Sequence, residues 1–72
     1  TSKTKEVTFN LPTDRTEQYH LGLYQNGMQV IEDTIVTPDM TKINIVLTGS
    51  GVQTYDLYIN NQFYKTVKVE FN

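Results

Sequence analysis

The residues able to do chemistry in this chain are one histidine, eight carboxylates, two serines and five tyrosines. His20 is the only imidazole, so nucleophilic catalysis through a Ser-His pair would have to use it with Ser2 or Ser50. Neither serine stands in the G-x-S-x-G setting that lifts a hydroxyl onto a strand-to-helix elbow. The plainer reading of His20 is a ring on the solvent side of a strand. The acids are Glu6, Asp14, Glu17, Glu32, Asp33, Asp39, Asp56 and Glu70. A glycosidase holds two carboxylates across a cleft, whereas the adjacent Glu32 and Asp33 point to opposite faces if they lie on a strand. No EF-hand spacing occurs, although Asp14, Asp33 and Asp39 sit where a loop calcium ion can be held. Solvated loop acids are the commoner outcome. Gly49-Ser50-Gly51 lacks the Lys-Ser/Thr that follows a phosphate loop, so it reads as a corner. With no cysteine there is no disulfide and no thiolate site for zinc. The expectation is a non-enzymatic chain with no catalytic residue, cofactor or metal.

Tyrosine is the remaining lead. Tyr24, Tyr58 and Tyr64 fall on faces opposite the most apolar positions, taking Leu23, Leu57 and Val67 as core. Exposed rings of this kind stack on sugars or anchor protein interfaces. Cross-strand pairing that only stabilises a sheet uses the same residues. These three are the expected interaction surface.

Positioning them falls to strands. The chain has 72 residues, no alanine, and many Thr, Val, Ile, Tyr and Phe, residues that suit a pleated, half-buried surface. No window sustains apolar residues at helical spacing. One domain over residues 1–72 is expected, with a thin core, and the Thr1 start suggests excision from a longer chain. Net charge is −2, and the scattered Lys3, Lys5, Lys65 and Lys68 form no basic patch, which argues against nucleic acid. No apolar run approaches the length of a membrane span, so no membrane insertion is expected.

Alternation places strands over 5–11, with Val7, Phe9 and Leu11 inward, then over 18–25, 28–36 and 42–48. A final hairpin spans 51–71. Asn26-Gly27 between alternating segments is a strong signal for a two-residue type I′ turn. It pairs Gln25 with Met28 and Leu23 with Val30. Adjacent Val30-Ile31 and Ile35-Val36 break the alternation, which calls for a bulge near Glu32-Asp33. In the last hairpin a two-residue turn at Asn60-Asn61 pairs Leu57 with Tyr64 but puts Val67 on the wrong face. A three-residue turn corrects Val67 but sets Leu57 against Lys65. A bulge between the turn and Val67 satisfies both ends.

Six short strands suggest a small antiparallel sandwich, with an SH3-like or OB-type barrel as the alternative. The stretches Gly51-Val-Gln-Thr-Tyr55-Asp-Leu57, Tyr19-His-Leu21-Gly-Leu23 and Val67-Lys-Val69-Glu-Phe71 resemble strands F, C and G of an immunoglobulin-like or fibronectin-III-like module. The resemblance implies a corner role for Tyr55, its hydroxyl bonding back to nearby backbone. It also leaves the first sheet short of a strand A. The strand-C Trp and the inter-sheet Cys pair of antibody domains are absent. The run Tyr-Asp-Leu-Tyr-Ile-Asn-Asn-Gln into Lys-Thr-Val-Lys-Val-Glu-Phe looks like the closing hairpin of modules appended to bacteriophage tail and capsid proteins. That implies a virion location, partner subunits of a larger assembly, and spacing, decoration or weak adhesion to host carbohydrate. The alternative is a carbohydrate-binding or adhesive module of a bacterial secreted or cell-surface protein.

Overall fold

The computed structural model describes residues 2–71. Alternating residues build β1 (Lys3–Asn10), β2 (Tyr19–Gln25), β3 (Met28–Val36), β4 (Lys42–Gly49), β5 (Val52–Ile59) and β6 (Gln62–Glu70). β1 pairs with β4, and a second sheet runs β3-β2-β5-β6, every neighbour antiparallel. The smallest extent of the molecule is 17 Å, room for two sheets about 10 Å apart and no third layer. The sheets share no hydrogen-bonded strand. This is a small β-sandwich and not the closed barrel of the alternative reading.

The inward-facing residues meet between the layers. Phe9, Ile45 and Leu47 come from the two-stranded sheet; Tyr19, Leu21, Leu23, Val36, Tyr55, Leu57, Ile59 and Val69 come from the four-stranded sheet. Leu11 and Phe71, just beyond strand ends, close the two poles. Leu21, Leu23, Val36 and Leu57 are fully inaccessible, and burying each such side chain contributes roughly 1.5–3 kcal/mol.

Both two-residue turns form. Asn26 and Gly27 have φ of 52° and 77°, and Asn60 and Asn61 have φ of 50° and 64°, the left-handed pair that a type I′ turn requires. The second turn is also tied to β2. Asn60 Oδ1 accepts a bond from the His20 amide at 3.0 Å, and the Asn60 amide donates to the His20 carbonyl at 2.9 Å.

The registers sharpen two expectations and correct one. Around Gly22 the pairing passes from Leu21↔Thr34 to Leu23↔Ile31, so the irregularity expected at Glu32-Asp33 is present. A second shift separates Leu23↔Ile31 from Tyr24↔Gln29, and Leu23 therefore faces Ile31 instead of Val30. The cause is the adjacent apolar pair. Only one of Val30 and Ile31 can face the core, and the extra residue turns Val30 out to 40% exposure while Ile31 packs against the core. In the last hairpin the two-residue turn gives Tyr58↔Phe63, then a shift gives Leu57↔Lys65 and Tyr55↔Val67. That is the third of the three solutions, with Tyr64 as the extra residue.

Tyr55 does not make the corner bond that the resemblance implied. Its ring is buried opposite Val67, and burial raises its phenol above the usual tyrosine range. Its hydroxyl bonds to none of the described residues. The corner carbonyl of Ser50 accepts instead from Gln53 Nε2 at 2.7 Å, and Gln53 Oε1 accepts from Gln25 Nε2 at 2.8 Å. The link from β4 to β5 is only Ser50-Gly51, which leaves no loop backbone draped within reach of the phenol.

Candidate functional site

The outer face of the four-stranded sheet carries the aromatic chemistry. Two neighbouring rows of residues face outward there. One runs Gln29, Tyr24, Asp56, Thr66; the other passes through Gly22, Tyr58 and Phe63. Gly22 is decisive for their geometry. A Cβ at that position would fall 3.0 Å from Asp33 Oδ1 and 3.2 Å from Tyr24 Cε1. Its absence lets the Asp33 carboxylate and the Tyr24 ring lean in over the strand. Tyr24 then reaches Tyr58, ring centroids 4.7 Å apart and tilted at 54°. Tyr58 meets Phe63 edge-on, 5.9 Å apart at 82°. Such tilted and T-shaped contacts contribute roughly 0.5–1.5 kcal/mol each beyond their buried area.

Two carboxylates stand beside these rings. Asp33 comes from the irregular stretch of β3 opposite Gly22, where its Oδ1 accepts from Gln29 Nε2 at 2.7 Å. Asp56 lies opposite Tyr24 on β5, where its Oδ1 accepts from Thr66 Oγ1 at 3.1 Å. These bonds use one oxygen of each carboxylate, and neither forms an ion pair among the described residues.

Of the three tyrosines expected to form a surface, the fold joins Tyr24 and Tyr58 and separates Tyr64. The bulge moves Tyr64 off the outward row, and the Lys65 ammonium sits 5.6 Å from its ring centroid. Phe63 takes the third place, its ring 58% exposed. Sequence alternation alone did not reveal Phe63, because its face depends on where the bulge falls. The signal available was the pairing Tyr58 with Phe63 that follows from a two-residue turn.

The other chemistry-bearing residues are dispersed. His20 is on the exposed side of β2 opposite Ile35. Among the described residues no three His, Cys, Asp or Glu side chains gather as metal ligands would. Asp14 and Glu17 border a surface depression of about 200 Å³ with Arg15, Tyr19 and Asn60. Behind it the Tyr19 hydroxyl is buried and lacks a hydrogen-bond partner among the described residues. Desolvation raises its pKa, with smaller upward contributions from Tyr64 and Asp14. Arg15, whose guanidinium carbon lies 5.5 Å from the ring centroid, opposes the rise.

No family model, curated protein or solved structure matches this chain.

Proposed function

We propose that this chain is a non-catalytic, immunoglobulin-like module that works by contact, its outward Tyr24–Tyr58–Phe63 ridge meeting another protein subunit of a larger assembly. The observation that carries the reading is the open Phe63 ring at the end of a mutually packed aromatic row. Exposed aromatics backed by rigid neighbours are the residues on which protein interfaces concentrate their affinity. The order of the strands supports the immunoglobulin-like part, with the four-stranded sheet corresponding to C′, C, F and G and the two-stranded sheet to B and E. The resemblance of the closing hairpin to appended bacteriophage modules supplies the setting, a tail or capsid protein of a virion.

The experiment is Phe63→Glu. The ring is far enough from the core for the variant to fold, which circular dichroism checks, and the variant is expected to lose its attachment within the parent assembly. Unaltered incorporation would overturn a contact role for this face. Binding of the unaltered chain to a glycan array, abolished by the same substitution, would favour the carbohydrate-binding alternative.

A further inference from the structure

We infer that the aromatic ridge receives a cationic side chain, a guanidinium or an ammonium, from a basic segment of the partner protein. The inference rests on the contact reading above and names the chemistry of that contact. Three observations carry it. First, the rings do not lie in one plane. Tyr24 and Tyr58 are tilted at 54° and Tyr58 and Phe63 at 82°, so the faces they offer are turned at different angles instead of forming the flat platform on which a pyranose stacks. A cation is attracted to the face of each ring within about 6 Å. Second, Asp33 and Asp56 flank the Tyr24–Tyr58 pair from opposite sides, one on the β3 side beside Gly22 and one on β5 opposite Tyr24. Their hydrogen bonds to Gln29 and Thr66 hold one oxygen of each and leave the other for an incoming donor. Third, neither carboxylate forms an ion pair among the described residues. The outward Lys68 lies opposite Thr54, a strand repeat beyond the Asp56↔Thr66 pair, and the net charge is −2. Rings that attract a cation, and two carboxylates with no ion-pair partner among the described residues, are complementary to one partner chemistry, positive and partly apolar.

The experiment is an NMR titration of the 72-residue chain with acetyl-arginine-amide, following the ring resonances of Tyr24, Tyr58 and Phe63. The uncharged isostere acetyl-citrulline-amide and methyl glucoside run in parallel. Expected are saturable shifts confined to the ridge, with the citrulline compound weaker by about fivefold or more. Asp33→Asn, Asp56→Asn and Phe63→Ala are each expected to weaken arginine binding by about two- to fivefold, with the amide spectrum confirming an unchanged fold. Equal binding of citrulline, indifference to both Asn substitutions, saturable shifts with the glucoside instead, or no saturable shift at all would overturn the inference. The two proposals fail separately. If arginine does not bind but Phe63→Glu still blocks attachment, the contact role stands and its cationic chemistry does not.

Discussion

Replacing Asn60 tests how one residue serves a turn and a sheet at once. Alanine at this position loses the Oδ1 that accepts the His20 amide at 3.0 Å, a bond with a net worth of about 0.5–1.5 kcal/mol. It must also hold φ near 50°, which costs a residue with a Cβ roughly 1–2 kcal/mol. The two effects together come to about 2 kcal/mol. A domain of 72 residues has a total stability of only about 4–11 kcal/mol, so the loss is a large fraction and corresponds to a fall in Tm of roughly 8–16 °C. Asn60→Gly separates the contributions. Glycine accepts the positive φ and loses only the side-chain bond, so its destabilisation is expected at about 1 kcal/mol. Asn61→Gly removes no side-chain bond that the structure shows and creates the Asn-Gly pair that type I′ turns favour, so stability should hold or rise. Urea unfolding followed by circular dichroism gives all three values. If Asn60→Gly proves as damaging as Asn60→Ala, the backbone argument is wrong; if Asn60→Ala costs less than about 0.5 kcal/mol, the tie to β2 contributes nothing.

Leu57→Ala, at a fully inaccessible core position opposite the bulge, should cost about 2–5 kcal/mol, enough to unfold much of the population on the same urea assay. Tyr19→Phe removes a buried hydroxyl without a hydrogen-bond partner among the described residues, and stability should be unchanged or up to about 1 kcal/mol higher; a clear loss would show that the hydroxyl is satisfied in solution. Burial raises the Tyr19 and Tyr55 phenols above their ordinary value of 10.0. The folded chain therefore holds these protons where the unfolded chain releases them, so stability is fully present below pH 10 and falls as pH climbs above it. Tyr55→Phe should flatten that alkaline decline in a pH series of unfolding midpoints. Gly22→Ala gains strand propensity but crowds Asp33 and Tyr24. A stability change under about 1 kcal/mol with a clear shift of the Tyr24 ring resonances is expected, and an unmoved ring would contradict the role given to Gly22.

The sandwich class was legible because Val7-Phe9-Leu11 and Ile43-Ile45-Leu47 alternate without interruption, and each run fixes which face is inward before any partner is known. Asn26-Gly27 was equally readable, since its backbone requirement is local. The edge strands were harder. The sequence Val30-Ile31 announces a conflict but does not say which residue gives way; the opposing sheet decides, by taking Ile31 into the core. The same holds at Tyr64. A bulge was required, but which aromatic it displaced set the composition of the outer face, and Phe63 entered the ridge as a result. Gly22 and Asn60 carry their roles through neighbours on other strands. No local pattern marks a missing Cβ or an amide that reaches across to β2.

The layers are joined unevenly, and that bears on how the molecule responds to load. β1 starts and β6 ends at the same pole, where Lys3, Thr4, Lys5, Glu70 and Phe71 line one groove and Lys5 Nζ donates to the Glu70 carbonyl at 3.0 Å. In the backbone ladders β1 pairs with β4 alone, and β6 with β5 alone. Tension drawn on both ends of the chain therefore loads the Lys5–Glu70 tie and the bond from the Phe71 amide to the Gly51 carbonyl first, then opens the ladders from Lys3↔Gly49 and Val52↔Glu70 one rung at a time, as a zipper, instead of shearing every rung together. The force needed is that of a single pair of bonds, whatever the strand length. In a pulling experiment this sandwich should yield early and smoothly while the central β2–β5 pair is still closed.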